Sequence, residues 1–431
     1  MTIRRQALTT CGAPIMALLA LTAFAAAQMT PTASPGAAWT EAVIYNFMYG
    51  TDGSWPHAGV VINKNGVLYG TTTDGGTVGA GTVFSLTPPA SAGGAWTETI
   101  LHDFTYGTDG SYPQAGVAIG KNGVLYGTTS SGGTVGAGTV FSLTPPASPG
   151  GAWTERVIYN FMYGTDGSHP YAGVTVGNNG VLYGTTSSGG TVGAGTVFAL
   201  APPETRDGAW TETVIYNFMY GTDGSWPYAG VVINKNGVLY GTTTDGGTVG
   251  AGTVFSLTPP ASPGADWTET ILHDFTYGTD GSYPQAGVVI GKNGVLYGTT
   301  TSGGTVGAGT VFSLTPPASP GGAWTERVIY NFMYGTDGSH PYAGVAISKN
   351  GVLYGTTTDG GSVGAGTIFS LTPPASPRGA WTETILHNFT YGTDDGSYPA
   401  AGVVIGRNGV LYGTTSSGGT VGAGTVFSMT P

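Results

Sequence analysis

The stretch GTDGS recurs along the chain, and each copy places an aromatic or imidazole side chain directly after a carboxylate and a hydroxyl. In chain order this position holds Trp55, Tyr112, His169, Trp226, Tyr283, His340 and Tyr398. A second variable position, just before a glycine-rich hairpin, holds Asp74, Asp245 and Asp359, with Ser in the other copies. Aromatic rings beside small polar groups are suited to stacking on sugars or to forming a protein hot spot. We therefore predict that these ten residues bind a ligand; the alternative for the aromatic residues is that they only pack between blades.

The Asp of each GTDGS loop offers a different chemistry, because a ring of carboxylates could bind Ca²⁺ or act in acid–base catalysis. A Ca²⁺ loop gathers several oxygen ligands, whereas each of these loops supplies one main carboxylate, and Asp-Gly is typical of a tight turn. The sequence has no G-x-S-x-G and no H-E-x-x-H motif. We therefore predict no catalytic residue, no metal site and no cofactor.

Composition and charge exclude several classes of protein. The 431 residues include 78 Gly and 27 Pro, 40% are hydrophobic, and the formal net charge is −11. The hydrophobic content argues against disorder, and the lack of a three-residue glycine period argues against a collagen. Lysine and arginine are scattered singly along the sequence, so we predict no basic patch and no nucleic-acid partner.

The N-terminus has the features of a secretory signal peptide, which we assign to residues 1–27. Arg4 and Arg5 precede an apolar run that is too short for a comfortable membrane span, and the only cysteine, Cys11, lies within this segment. We expect a secreted or cell-surface protein without disulfides and without a transmembrane span in the mature chain. Residues 28–38 are predicted to form a short linker.

Residues 39–431 consist of seven repeats of 57 residues. Each repeat begins with a Trp in a W-T-E context, at Trp39, Trp96, Trp153, Trp210, Trp267, Trp324 and Trp381. In the fourth repeat, the patterns predict strands at Trp210–Phe218, Ala229–Ile233, Val238–Thr243 and Thr253–Thr258, joined by Asn-Gly and glycine-rich turns. Four short strands per repeat predict an all-β, seven-bladed β-propeller with one blade per repeat. An open solenoid or a bead array is the alternative.

The two ends of the repeat region predict how this ring closes. The region starts with an unpaired W-T-E strand near 39–47 and ends directly after its last T-V-F-S-M-T strand. Pairing these two strands completes the seventh blade and removes an exposed sheet edge. In such a ring, the predicted binding residues lie at the entry to the innermost strand and on a neighbouring loop of the same face.

The repeat resembles the GloVer tandem-repeat proteins. The resemblance rests on G-x-L-Y-G-T-T-x-x-G-G, G-x-G-T-V-F and F-x-x-G-x-D-G-x-x-P, and it covers all seven copies. In the first copy the matching residues are Gly70, Thr71, Thr72, Gly75, Gly76, Gly81, Thr82, Val83 and Phe84. The resemblance implies a bacterial secreted or surface protein and carries no biochemical activity.

These observations favour a multivalent binding module for glycans or extracellular proteins, without catalysis. The first alternative is a structural surface or matrix protein with no small ligand. The second is a polysaccharide hydrolase or lyase with carboxylates from two neighbouring copies, because their separation cannot be read from the sequence.

Overall fold

A computed structural model describes residues 38–431 except 92, 149, 206–207, 263, 320 and 377–378. The predicted signal peptide and all but the last residue of the predicted linker lie outside the described residues. Trp39–Pro431 forms one compact unit. Among the described residues, no helix is long and apolar enough to cross a membrane.

Each repeat contributes four strands, which we name by their place in the blade. The first strands, nearest the axis, are Val61–Ile62, Ala118–Ile119, Thr175–Val176, Val232–Ile233, Val289–Ile290, Ala346–Ile347 and Val404–Ile405. The second strands are Leu68–Thr72, Leu125–Thr129, Leu182–Thr186, Leu239–Thr243, Leu296–Thr300, Leu353–Thr357 and Leu411–Thr415. The third strands are Thr82–Thr87, Thr139–Thr144, Thr196–Ala201, Thr253–Thr258, Thr310–Thr315, Thr367–Thr372 and Thr425–Thr430. The outer strands are Thr40–Asn46, Thr97–Asp103, Thr154–Asn160, Thr211–Asn217, Thr268–Asp274, Thr325–Asn331 and Thr382–Asn388.

Shorter elements distinguish some copies from the others. Three hairpins contain a 3₁₀ turn, at Lys121–Gly123, Lys292–Gly294 and Arg407–Gly409. The last copy carries one inserted residue, and there Gly396–Ser397 pairs with Ser417–Gly418 as an extra two-stranded ribbon.

The sheets confirm the predicted seven-bladed β-propeller. Each blade is an antiparallel sheet of three strands from one repeat and the outer strand of the next repeat. The outer strand of the seventh blade is Thr40–Asn46, which pairs with Thr425–Thr430 from the C-terminal end. The predicted closure between the first and last strands of the ring is therefore present, and every blade has four strands.

The first strand is shorter than predicted. The apolar stretch from Ala229 to Ile233 forms a ladder only at its last two residues. The Ala229 carbonyl instead accepts a hydrogen bond of 2.9 Å from the Thr185 hydroxyl of the preceding blade. We call each interface between neighbouring blades a seam. Equivalent bonds cross every seam, including the bond from Thr414 to Ala58 between the last and the first blade. Residues that were predicted to belong to the first strand therefore bond to the preceding blade instead.

The hydrophobic core lies between the blades. One cluster combines Leu101 and Phe104, from the outer strand of the first blade and the residue after it, with Leu125 and Phe141 of the next blade, all nearly inaccessible to solvent. The Phe104 and Phe141 rings meet edge to face with centroids 5.3 Å apart. Six similar clusters fill the other seams. Burying these side chains requires both neighbouring blades, which favours the closed ring over isolated repeats.

A ring of glycines closes the structure at its axis. A Cβ atom added to Gly116 would lie 2.8 Å from the carbonyl oxygen of Gly59, and the same contact recurs at every blade. The seven residues are Gly59, Gly116, Gly173, Gly230, Gly287, Gly344 and Gly402, each against the one before, with Gly59 against Gly402. Only glycine allows the blades to approach this closely.

The connections lie on two faces. The aromatic face carries the crossings from an outer strand to the next blade, such as residues 47–60, and the glycine hairpins, such as 73–81. The hairpin face carries the tight turns between first and second strands, such as 63–67, and the proline-rich loops, such as 88–96.

Candidate binding site on the aromatic face

The seven residues that follow GTDGS share one unusual backbone conformation. All have positive φ, between 50° at His340 and 56° at Tyr112. An L-residue in this left-handed region costs about 1–2 kcal/mol, so the surrounding structure must hold it there. At Trp55 the amide donates to the Ala423 carbonyl of the preceding blade at 2.9 Å, and the carbonyl accepts from Thr73 of its own blade at 3.2 Å. The backbone that carries the Trp55 side chain is therefore held by hydrogen bonds to both of the blades that meet at the seam.

Each of these residues contacts a tyrosine that sequence reasoning missed. Trp55 meets Tyr49 edge to face with ring centroids 6.2 Å apart, and Tyr112 meets Tyr106 at 5.4 Å. We call these pairs the seam pairs. They are Tyr49/Trp55, Tyr106/Tyr112, Tyr163/His169, Tyr220/Trp226, Tyr277/Tyr283, Tyr334/His340 and Tyr391/Tyr398. The tyrosine is the same in every copy, so a search for variable positions did not find it. The signal in the sequence that could have found it is a Tyr that precedes Gly in every copy.

Hydrogen bonds hold the tyrosine of each seam pair in place. The Tyr49 hydroxyl donates to the Gly422 carbonyl at 3.0 Å, and the Trp55 indole N–H donates to Tyr49 at 3.3 Å. In the Tyr–Tyr pairs the two hydroxyls lie 2.8–2.9 Å apart. The bond to Tyr112 is the main cause that raises the pKa of Tyr106 to about 12. Half of each tyrosine stays exposed, 50% at Tyr49, so its ring remains available to a ligand.

The three predicted aspartates lie beside the seam pairs. Asp74 exchanges backbone hydrogen bonds with Ser54, the residue before Trp55. Asp359 approaches His340 directly, with its Oδ2 3.2 Å from the Nδ1 of the imidazole. Burial raises the pKa of both Asp74 and Asp245. The structure therefore brings the two predicted sets together within each seam.

Different seams remain separate sites. Among the described residues, no ring contact joins one seam pair to the next. The ten predicted residues are thus seven small sites around the disc, with Asp at three of them and Ser at the others.

A further variable position surrounds the axis on the same face. It lies two residues after each aromatic or His, and it contributes to a cavity of about 310 Å³. The lining residues are His57, Thr73, Gln114, Gln285, Tyr342 and Ala400. Burial lowers the pKa of His57, and the nearby Asp74 opposes that shift. Tyr171 and Tyr228 meet each other at 5.4 Å, so the mouth of the disc is lined with polar and aromatic groups.

The GTDGS aspartates stabilise their own loops. Asp52 accepts hydrogen bonds of 3.0 Å from the Met48 amide and the Tyr45 hydroxyl. Asp109 accepts from the Thr105 amide at 3.0 Å and lies 3.3 Å from His102 Nε2. The interpretation of these residues as turn formers is therefore confirmed, and His102 pairs across the loop with Asp109.

A second carboxylate lies close to each of these aspartates. Burial, and then the charge of Asp52, raise the pKa of Glu98 to about 7. The same occurs at Glu155, Glu212, Glu269, Glu326 and Glu383. Burial also raises the pKa of Glu41 to about 7, there against the opposing charge of His387 and with support from Asp395 and Asp394. One carboxyl oxygen of each of these seven glutamates is inaccessible to solvent and lacks a hydrogen-bond partner. The pairs therefore lie within the seams, where the Tyr45 hydroxyl donates to Asp52.

Among the described residues, one group has the composition of a metal site. The ligand atoms of Glu41, His387 and Asp395 lie within 4.8 Å of one another. The Asp395 oxygens already accept hydrogen bonds from Thr390 and Gly396 and lie 3.2–3.3 Å from His387 Nε2. This carboxylate is occupied as an acceptor, so we assign no metal to the cluster.

Comparison with known proteins identifies the repeat. Among solved structures, a Thermus thermophilus protein described as a glucose-dehydrogenase-type oxidoreductase is 15% identical, covering 91% of this chain and all of that one, with a TM-score of 0.41. A variant of the NanB sialidase from Streptococcus pneumoniae is 11% identical, covering 90% of this chain and 70% of the sialidase, with a TM-score of 0.40. A comparison with curated proteins gives no match. The profile of the Gloeobacter/Verrucomicrobia repeat matches residues 28–231, 147–320 and 318–431. The chain therefore belongs to the Gloeobacter/Verrucomicrobia repeat family.

Proposed function

We propose that this protein is a secreted or surface-exposed, non-catalytic module that binds glycans through the seam pairs of its aromatic face. The observation that carries the proposal is the left-handed backbone repeated at all seven seams, which holds an aromatic or imidazole ring outward at a cost in stability. A ring needed only for packing would not require that conformation. Each seam pair offers two rings at an angle, with a carboxylate or hydroxyl beside them, which suits a sugar ring and its hydroxyl groups.

The charge of this face selects the class of glycan. Neither the crossings nor the glycine hairpins contain a lysine or arginine in any copy, whereas three seams carry Asp. An acidic sugar would approach these carboxylates without a cation to pair with. The preferred ligand is therefore a neutral glycan.

Repetition supplies the affinity. A single half-exposed seam pair offers little contact area, so each site binds weakly. A polymer with repeating sugars engages several seams at once, and the later contacts then form at a high effective concentration. Trp occurs at two seams, Tyr at three and His at two, so the seams differ in strength.

The seam carboxylates are the basis of the enzymatic alternative, and their placement favours binding instead. A glycosidase needs an acid and a base that both reach the scissile bond. Here one oxygen of each glutamate is enclosed between blades. The other member of one such pair, Asp52, lies in the same crossing as Tyr49 and Trp55. Its carboxylate, however, accepts hydrogen bonds from the Tyr45 hydroxyl and the Met48 amide and so is engaged within its own loop.

A protein ligand is the second candidate, favoured by apolar side chains beside the seam pairs. Met48 is 51% exposed and Val78, at the tip of a glycine hairpin, is also 51% exposed. Similar exposed methionines occur at Met162, Met219 and Met333. Met and aromatic residues are enriched in protein interfaces.

A glycan array with the full chain tests the proposal. We expect binding to neutral polysaccharides, and we expect Trp55→Ala/Trp226→Ala to weaken it by about tenfold or more, because a buried aromatic contact contributes about 1–3 kcal/mol. The matched control is Trp55→Tyr/Trp226→Tyr, which places at these seams the residue that three other copies carry, and it should retain most of the binding.

Two results would oppose the proposal. Equal binding by the alanine and tyrosine variants would remove the seam pairs from the site. A blank array, combined with capture of a defined extracellular protein that depends on Trp55, would replace glycan by protein as the ligand.

A further inference from the structure

The tight turns of the hairpin face carry six of the ten lysines and arginines of the repeats. The chain has five lysines, and every one occupies the same position in the turn between first and second strands. They are Lys64, Lys121, Lys235, Lys292 and Lys349, and Arg407 holds this position in the seventh copy. Residues that are far apart in the sequence therefore form a ring in space, which overturns the expectation that the cations are scattered. We call these six residues the cation ring.

The cation ring carries uncompensated charge. All six side chains are exposed, and the ion pairs found in the described part of the chain involve histidine and aspartate only. The chain has 23 acidic residues against 12 lysines and arginines, yet none of the tight turns contains an acid. In a protein of net charge −11, this arrangement separates a positive rim from an otherwise acidic surface.

Three members of the ring line one large cavity. The turns of the sixth, seventh and first blades enclose about 800 Å³, a size typical of ligand sites. Lys64, Lys349 and Arg407 provide the charge, and the Arg407 guanidinium donates to the Lys64 carbonyl of the neighbouring blade. Ile62, Ile347 and Ile405 form an apolar floor.

Uncharged polar groups from the same three turns also line the cavity. They are Asn63, Asn350, Asn408 and Ser348. The Asn350 and Asn408 amides can pair with the hydroxyl groups of a sugar, while the isoleucines contact its apolar face; Asn63 and Ser348 cap their own turns. Cations at the rim pair with negative groups on the same ligand.

We propose that this cavity is a second binding site, specific for an anionic glycan whose sugars carry carboxylates. The site is separate from the seam pairs and has the opposite charge. The proposal does not depend on the function of the seam pairs.

The third copy supplies a matched variant. Its turn has Asn178 where the other copies have Lys or Arg, and the two strands that flank this turn pair as they do in the other copies. Lys64→Asn, Lys349→Asn and Arg407→Asn together reproduce this natural turn and remove all three charges from the cavity. Lys235→Asn with Lys292→Asn removes two cations that do not line the cavity and serves as the control.

Calorimetry with the full chain and oligogalacturonate tests the site. We expect saturable binding that weakens with added salt, because exposed charges are screened. The triple variant should bind about tenfold more weakly or worse, whereas the Lys235/Lys292 control should stay within about threefold of the original chain. The methyl-esterified oligosaccharide, which lacks the charge, should not bind measurably.

The outcomes separate this proposal from the others. Equal affinity of the triple variant, or equal binding of the methyl ester, would overturn it. Tighter, cavity-dependent binding of double-stranded DNA than of oligogalacturonate would replace the glycan by a nucleic acid. Binding of neutral glycans to the aromatic face should be unchanged in the triple variant, so failure at one face does not decide the other.

Discussion

The two faces of the disc vary in opposite ways. On the aromatic face the backbone is constant, with φ between 50° and 56° at every seam, while the side chain changes among Trp, Tyr and His. On the hairpin face the charge is almost constant, while the backbone changes. Asn63 caps its own turn by accepting from Val67 at 3.1 Å, whereas the second, fifth and seventh copies use a 3₁₀ turn with Asn122 or its equivalent at positive φ.

This difference teaches what each face requires. A fixed backbone with varied rings keeps the position of a contact and changes its strength or specificity. A fixed charge with varied turns keeps an electrostatic field, which depends little on the path of the backbone that carries it. The first face is therefore organised for local contacts, and the second for attraction of charge.

The largest expected effect on stability comes from deleting the strand that closes the ring, on which both faces depend. Deleting residues 39–47 removes the closing strand and the fully buried Phe47, and it leaves the Thr425–Thr430 strand as an open edge. Loss of a buried Phe alone costs about 3–5 kcal/mol, so we expect the melting temperature to fall by about 10 °C or more and aggregation to increase. Calorimetry and light scattering measure both.

Phe47→Ala separates the core from the edge in that experiment. It should lower the melting temperature while leaving the chain monodisperse, because the closing strand is still present. A deletion that melts at the original temperature and stays soluble would contradict the closed ring.

A pair of glycines sharpens the comparison of the faces. Gly53 on the aromatic face and Gly66 on the hairpin face both have positive φ, 97° and 87°. A Cβ at Gly53 would overlap the Thr72 side chain, whereas the nearest atom to a Cβ at Gly66 is Pro88 Cγ at 3.7 Å. We expect Gly53→Ala to cost roughly 3 kcal/mol or more, and Gly66→Ala about 1 kcal/mol from backbone strain alone.

Denaturant unfolding of the two variants measures this difference. Equal costs would mean that the backbone of the aromatic face is no more constrained than that of the hairpin face. That result would remove the reason for treating the two faces differently.

The smallest expected effect on stability concerns the seven glutamates with one enclosed carboxyl oxygen, such as Glu98. They lie in the outer strands and belong to neither face. The pKa of Glu98 is about 7 in the folded chain and near 4.5 in the unfolded chain. Between these values the folded chain binds more protons, so this group's contribution to stability is present at low pH and is lost as the pH rises towards 7. Glu98→Gln should therefore raise the melting temperature at pH 8 and leave it nearly unchanged at pH 4.5.

The comparison with the variant isolates the glutamate, because histidines act in the other direction. Burial lowers the pKa of His102 and His273, so their contribution grows as the pH rises. A Glu98→Gln variant that is less stable than the original chain at pH 8 would show that the carboxylate is held in its charged form.

The repeat pattern predicted most of the fold. Thr253–Thr258 has the predicted bounds, and Thr40–Asn46 closes the ring as its position at the start of the repeats indicated. The error fell at the first strand, where Ala229 and Gly230 bond and pack against the preceding blade. Alternation of apolar residues reports burial, and it does not tell whether a neighbouring blade or a neighbouring strand causes that burial.

The candidate sites were harder to predict, for two physical reasons. Trp, Tyr and His seldom adopt positive φ, so their residue types did not predict the left-handed backbone conformation that orients Trp55 or His169. The lysines are separated by whole repeats, so their proximity depends on ring closure. Once the seven-bladed ring is known, one lysine or arginine at the same position in six of the seven turns is enough to predict the cation ring.

The glycine ring at the axis separates what can change in this protein from what cannot. Each step around it is the same contact between one glycine and the next, so any copy can stand beside any other. Recombination between near-identical copies can therefore reorder Trp-, Tyr- and His-bearing blades without the evolution of a new interface. An eighth copy would have to enter the ring at one of these close contacts. Growth of this gene is thus expected to yield new arrangements of seven, or a second complete disc, in place of a larger one.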